Sequence, residues 1–251
     1  MIRVAAIGDL HVGDDCAVAP PMAELAHVAE DADVLLLAGD LTKCGAPAEA
    51  ACLARTLAAL DVPVLGVLGN HDYQSDEAPA CTAVLREAGM HLLEDGPRIV
   101  EVRGVRVGIA GSKGFGGGFL GACGSDFGEP EMKAFIRTTQ ALAAKLERDL
   151  AGLDADVRIA VLHYSPIPET LQGERLEIYP FLGSYLLAEA IDHAGADLVV
   201  HGHAHCGSER GVTPGGVRVR NVALPLIRQP YRVFEFAAGD GAAARTLDVV
   251  P

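Results

Sequence analysis

Six short apolar runs set the strongest limit on what this chain can fold into, because five of them stop at Asp, Asn or His. The run from Val4 to Ile7 meets Gly8 and Asp9, and that from Val34 to Ala38 meets Gly39 and Asp40. The run from Val62 to Leu68 meets Gly69, Asn70 and His71, that from Ile159 to Leu162 meets His163, and that from Leu198 to Val200 meets His201, Gly202 and His203. The sixth, from Val105 to Ala110, ends at Gly111 and Ser112. Runs this short, closed by turn residues, read as buried strands. Helix-like stretches separate them, from Pro21 to Glu30, Ala46 to Leu60, Ala78 to Ala88, Pro130 to Leu150 and Ser184 to His193. Such alternation predicts an α/β fold. Beyond Gly211 the pattern changes. Stretches from Val217 to Ala223 and from Tyr231 to Phe236 read as strands with no helix between them, a hairpin-like β end to the fold.

The 251 residues are expected to form a single domain spanning 1–251, since no repeat and no Pro/Ser-rich linker interrupts them. A chain of this length can bury a core without disulfides or a structural metal, so any metal is expected to serve chemistry. The formal net charge of −14 disfavours a nucleic-acid partner, and no basic run offsets it. Small phosphorylated substrates are anions too, and would need a local source of positive charge such as bound cations. No C-x-x-C pair occurs among the six cysteines, which are expected to be reduced thiols in a cytoplasmic protein. Neither a signal peptide nor an apolar run long enough to span a membrane is expected.

In an open α/β sheet, ligands bind outside the carboxyl ends of the strands. The polar set there is Asp9, His11, Asp40, Asn70, His71, His163, His201, His203 and His205, which takes six of the nine histidines in the chain. Asp9 and His11, like His203 and His205, are two apart, and in extended backbone such pairs face the same side and could reach one cation. Carboxylate, imidazole and amide oxygen suit Mn²⁺, Fe²⁺ or Zn²⁺, and a set without cysteine argues against a structural zinc site. Each element taken alone has a plainer explanation. A single Asp after a strand caps a helix or makes a turn, and a single buried His is usually a hydrogen-bonded core residue. The ordered series is what separates this chain from those explanations.

Asp9-Leu10-His11, Gly39-Asp40, Gly69-Asn70-His71-Asp72, His163 and Gly202-His203-Ala204-His205 together resemble the calcineurin-like metallophosphoesterase family, whose pattern is D-x-H, GD, GNH[DE], H and GHxH. All five blocks occur in order over residues 9 to 205. The resemblance implies a four-layer αββα sandwich of two mixed β-sheets flanked by helices, with two divalent metal ions at one edge, Mn or Fe/Mn ahead of Zn. It implies that Asp9, His11 and His205 hold one ion, that Asn70, His163 and His203 hold the other, that Asp40 bridges them, and that His71 is a catalytic histidine outside the ligand set. It further implies a hydroxide shared by two ions about 3.5–4 Å apart, attacking phosphorus in line. The expected substrate is a small phosphomonoester or phosphodiester.

Asp72 fits the acidic position of its block and is expected to orient the loop. His201, one step before Gly-His-Ala-His, is open between a partner of the ligands and a packed strand residue; alternation would put it on the side of His203. Gly116, Gly118 and Gly121 spell G-x-G-x-x-G, but no helix opens there and no matching acid follows, so a dinucleotide site is not expected. The glycine-rich stretch from Gly111 to Gly128 reads as a long loop and the one candidate lid. Lys113 and Arg175 are cations that could meet a phosphate. Tyr164 and Cys206 are neighbours of site residues with no evident role. Two rival functions are a catalytically silent metal-binding scaffold, which the intact series disfavours, and a nuclease, which the charge and an aromatic content of 5% disfavour. Gly39-Asp40-Leu41-Thr42 and Asn70-His71-Asp72 are similar to the cyclic-nucleotide phosphodiesterase branch, whereas His163-Tyr164-Ser165-Pro166 departs from that branch's paired-histidine block. The residues do not choose a substrate or an oligomeric state.

Overall fold

The structure, a computed structural model, describes residues 1–16, 23–237 and 246–248. Two six-stranded sheets carry the fold. In the first, the order is β14 (Thr246–Asp248), β13 (Arg232–Phe236), β1 (Ile2–Ile7), β2 (Val34–Ala38), β3 (Val64–Val67) and β4 (His91–Leu92). In the second it is β11 (Arg210–Val212), β12 (Arg218–Asn221), β10 (Leu198–His201), β9 (Val157–Leu162), β6 (Val105–Ser112) and β5 (Arg98–Val102). Strands β1 to β4 run parallel to one another, as do β6, β9, β10 and β12, and both sheets gain antiparallel strands at their margins. Four helices of ten or more residues cover the outer faces: α1 (Pro47–Leu57), α2 (Ala78–Glu87), α3 (Pro130–Ala151) and α4 (Tyr185–Ala194).

Strand alternation assigns the layers. Val4, Ala6, Val34 and Leu36 point inward and pack with Val157, Ile159, Val161, Leu198 and Val200 of the other sheet. Their neighbours Ala5, Ile7, Leu35 and Leu37 point outward, against Ala50, Leu53 and Leu57 of α1 and Leu85 of α2. On the second sheet Ala160, Leu162 and Val199 face Leu146 and Leu150 of α3 and Leu187 and Ile191 of α4. Because both faces of the central strands are covered, these strands read as unbroken apolar runs rather than as polar/apolar alternation. The result is the four-layer αββα sandwich expected.

Several expectations need correction. Strand β12 does not pair with β13. It lies parallel to β10 in the second sheet and forms its hairpin with β11, whereas β13 lies antiparallel to β1 in the first. The chain crosses between the sheets through a one-turn helix, Leu224–Ile227. The helix expected from Pro21 to Glu30 begins outside the described residues, and its described part, 23–31, is helical throughout, with a 3₁₀ turn at Leu25–His27 before Val28–Asp31. The glycine-rich stretch is not free loop. It contains a small hairpin, β7 (Gly118–Phe119) with β8 (Ala122–Cys123), and Gly117 and Gly118 donate their N–H groups to the carbonyls of Pro180 and Gly183. The six cysteines are not all reduced. Cys16 and Cys52 are joined by a disulfide, with Cα atoms 5.2 Å apart, because the segment after β1 returns over α1. Cys44, Cys81, Cys123 and Cys206 are free. Among the described residues no helix is long and apolar enough to cross a membrane.

Candidate metal centre

Strands β1, β2 and β3 are parallel, so the segments leaving them emerge at one edge of their sheet; the same holds for β9 and β10. The two edges meet. Gly8 donates to the carbonyl of Val222 and accepts from Leu224 N–H, both at 3.0 Å, which ties the end of β1 to the segment leaving β12. Asp9 and His203, far apart in sequence, touch: the His203 N–H donates to both Asp9 carboxylate oxygens, at 3.1 and 3.0 Å.

The backbone at this edge is not extended. Asp9, His11, Asp40 and His203 have φ of 60°, 46°, 48° and 71°. The left-handed region is costly for residues with a Cβ, and Asp, Asn and His tolerate it best. Four such residues in one cluster are of the kind that functional sites retain. The two-residue spacing therefore acts differently from the expectation. His205 turns to Asp9, its Nε2 2.9 Å from Oδ1, while His203 turns to the side of Asp40 and His163. Three overlapping groups result, each with ligand-type atoms within 4.8 Å of one another: Asp9, His11 and His205; His11, Asp40 and His71; and Asp40, His163 and His203. Asp40 sits between, with Oδ2 3.8 Å from His11 Nε2 and Oδ1 3.4 Å from His163 Nε2. Asn70 joins through Oδ1, 2.9 Å from His163 Nε2.

Two glycines make room for the carboxylates. A Cβ at Gly69 would fall on Asp40 Oδ1, and one at Gly202 on Asp9 Oδ2. That close approach explains the Gly in the Gly-Asn-His and Gly-His-Ala-His blocks.

Hydrogen bonds fix which imidazole nitrogens hold lone pairs, since a carbonyl oxygen can only accept. His163 Nδ1 donates to Ala38 O at 2.9 Å, His203 Nε2 to Phe181 O at 3.3 Å, and His71 Nδ1 to Lys43 O at 2.7 Å. Burial drives the His163 pKa well below 6.5 and those of His11 and His203 down to about 4, so all three are neutral at pH 7. His163 Nε2 then presents a lone pair toward the oxygens of Asp40 and Asn70. His11 Nε2 is buried without a hydrogen-bond partner. Burial and the nearby Asp9 charge push Asp40 up to about 8. Burial would raise Asp9 also, but the His205 hydrogen bond and charge, with the His203 N–H, hold it below its ordinary value. The Asp9 bond raises the pKa of His205. A His163 lone pair set against the Asn70 oxygen, an orphaned His11 nitrogen and an Asp40 carboxylate driven to hold a proton all mark a place that lacks positive charge. Divalent cations fit it, and they would displace that proton.

Asp72 lies beneath the cluster, 1% exposed. Its Oδ1 accepts from Thr42 N (2.8 Å) and Thr42 Oγ1 (2.6 Å), and its Oδ2 from Gly69 N (2.7 Å) and Leu41 N (3.2 Å). It therefore fastens the Asp40 loop to the Asn70 loop. His201 is buried and neutral, its Nδ1 donating to Gly202 O (2.7 Å) and its Nε2 accepting from Thr170 Oγ1 (2.8 Å). It belongs to none of the three groups. The left-handed turn at His203 ends the alternation that would have put the two on one side. Arg175 is exposed, whereas Lys113 is half-buried. Sequence reasoning gave no role to Thr42 or to Tyr164, whose ring centroid is 4.4 Å from that of His203, and did not name Phe181. Thr42, two residues after Asp40, and Tyr164, next to His163, had a local signal; Phe181 had none.

The calcineurin-like phosphoesterase family description matches residues 2–207. Among solved structures, the phosphopantetheinyl hydrolase PptH of Mycobacterium tuberculosis superposes with a TM-score of 0.67 at 17% identity, covering 97% of this chain and 95% of that one. TT1561 of Thermus thermophilus gives 0.54 at 18%, covering 92% and 93%. A putative 5'-nucleotidase from Staphylococcus aureus gives 0.55 at 16%, covering the whole of this chain and 54% of that one. These likenesses show the fold. No curated protein matches in sequence. The sandwich and its edge cluster are those of a metal-dependent phosphoesterase. The chain belongs to the calcineurin-like phosphoesterase family.

Proposed function

We propose that this chain, acting as one domain over residues 1–251, hydrolyses a small phosphomonoester or phosphodiester in the cytoplasm with a binuclear centre of Mn or Fe/Mn. Asp9, His11 and His205 hold one ion, Asn70, His163 and His203 the other, and Asp40 spans both. The observation that carries this reading is the meeting of the His163 Nε2 lone pair with the oxygens of Asn70 and Asp40, beside the partnerless Nε2 of His11. When bound, the ions would supply Lewis acidity to the phosphoryl oxygens and to an attacking water.

The remaining work falls to the chain. His71 has Nδ1 committed to Lys43 O, so Nε2 is the atom that exchanges a proton with the leaving oxygen. Its ring lies edge-on to that of His11, with centroids 4.5 Å apart, which places it beside the ligand set. The His203 N–H, held on Asp9, and the His71 N–H, held on Asp40 Oδ1 at 2.8 Å, aim the two carboxylates and limit their rotation. The test is metal analysis of the purified protein, then turnover of p-nitrophenyl phosphate and bis-p-nitrophenyl phosphate with Mn²⁺, Fe²⁺ and Zn²⁺. Two bound ions with turnover of either ester is the expected result. Two bound ions and no turnover with any metal would refute it.

A further inference from the structure

Lys113 follows β6, and its carbonyl accepts the N–H groups of His163 (3.2 Å) and Tyr164 (3.0 Å), so its backbone is fixed against the edge where the candidate ligands lie. Its ammonium lies over three aromatic rings, with Nζ 5.3 Å from the Tyr73 centroid, 4.7 Å from that of Phe115 and 5.2 Å from that of Tyr164. Two of these rings come from the site's own segments. Tyr73 closes the turn His71–Tyr73, and Tyr164 follows His163 and lies against the His203 ring. Phe115 is braced from behind by Phe135, with centroids 4.9 Å apart.

A lysine in a chain of net charge −14 would ordinarily find a carboxylate. Among the described residues none lies within salt-bridge distance of Lys113. Glu94 is near enough to act on it, yet one carboxylate oxygen of Glu94 accepts from Leu68 N and the other is buried with no partner. Asp40 also acts on the Lys113 charge. The three rings hold a cation half-buried without neutralising it, since the attraction of an aromatic face leaves the full charge available to an anion. No other half-buried lysine among the described residues is held this way. Lys145, for comparison, is paired with Asp149.

We propose that the Lys113 ammonium, held by Tyr73, Phe115 and Tyr164, binds an anionic oxygen of the substrate phosphate and positions it over the candidate metal centre. The proposal rests on the phosphoesterase reading above and deepens it. The chain itself would thus supply one fixed positive charge from the His163 side, leaving the ions to act on the other oxygens. An ion contact of this kind, partly desolvated, corresponds to roughly a ten- to hundredfold change in affinity for a phosphate.

Lys113→Met keeps the aliphatic stem among the rings and removes the charge; Lys113→Arg restores it. Both are compared with the parent protein, loaded with Mn²⁺, for bound metal, for kcat and KM on p-nitrophenyl phosphate, and for calorimetric binding of inorganic phosphate. The expected result is unchanged metal content, a KM and a phosphate Kd raised at least about tenfold in Lys113→Met with a smaller effect on kcat, and partial recovery in Lys113→Arg. Parent turnover with the same KM and phosphate Kd in Lys113→Met would overturn the Lys113 assignment alone and leave the lysine a packing residue. No turnover by the parent on any ester would overturn the phosphoesterase reading and this proposal with it.

Discussion

Asp72→Asn isolates what a residue outside the candidate ligand set does for the centre. The carboxylate takes four hydrogen bonds in two pairs, Thr42 N–H and Thr42 O–H on Oδ1, and Gly69 N–H and Leu41 N–H on Oδ2. An asparagine has nearly the same shape but turns one oxygen into an NH₂ group. If that group takes the Oδ2 position, two buried N–H donors lose their acceptor. If it takes the Oδ1 position, the Thr42 hydroxyl can rotate to accept and only the Thr42 N–H is orphaned. The second arrangement is the cheaper. One buried unsatisfied N–H costs about 1–3 kcal/mol, and weakening the charge-assisted bonds that remain adds to it, so the expected loss is roughly 2–4 kcal/mol. Because Asp72 joins the loops bearing Asp40 and Asn70, metal affinity should fall along with stability. Urea unfolding of the EDTA-treated protein measures the first, and competition with a chelator the second. Thr42→Val leaves Asp72 three N–H donors but also orphans the buried Gly45 N–H, which donates to Thr42 Oγ1 at 3.1 Å, so it should lose a comparable amount, roughly 2–4 kcal/mol. An Asp72→Asn protein within about 0.5 kcal/mol of the parent, the range of ordinary surface substitutions, would refute the account of these loops.

Further outcomes follow from the same geometry. His71→Ala should keep both metals while turnover falls about 100- to 10,000-fold, whereas Asp40→Asn should disturb occupancy of both positions; equal metal loss in the two, by elemental analysis, would contradict the division of roles. Gly202→Ala should lose about 1–3 kcal/mol of stability and much of its metal, because the new methyl would displace Asp9; retention of full metal content would count against it. His201 gives a pH dependence with a definite sign. Burial lowers its pKa from 6.5 to about 4, so between those values the unfolded chain binds a proton that the folded one refuses. Its contribution is complete above pH 6.5 and is lost as the pH falls toward 4, a separation worth on the order of 3 kcal/mol. His201→Gln should flatten acid unfolding over that window, measured by urea titration at fixed pH values; an unchanged slope would show that other groups carry it.

The ends of the central strands were legible because each is buried on both faces and stops where its polar residue must reach the sheet edge. Asp9, Asp40, Asn70, His71, His163, His203 and His205 could be named in sequence for that reason. The marginal strands were harder. β5 and β11 lack a continuous apolar run, and β12 and β13 look like a hairpin until their partners in separate sheets are seen. Cys16 and Cys52 are 36 residues apart, with nothing local to mark the pair.

By itself, the amino-acid order determined which residues stand at the strand ends, and with them the chemistry of the cluster, because alternation and turn residues are local properties. Only the tertiary structure decided how those residues divide. Left-handed turns at Asp9, His11, Asp40 and His203 break the two-residue alternation and send His203 and His205 to different partners. The same packing brought three rings from three segments around Lys113 and removed His201 from the cluster. Side-chain direction beyond the last hydrogen-bonded residue of a strand depends on what the opposite sheet presents, and no local pattern encodes that.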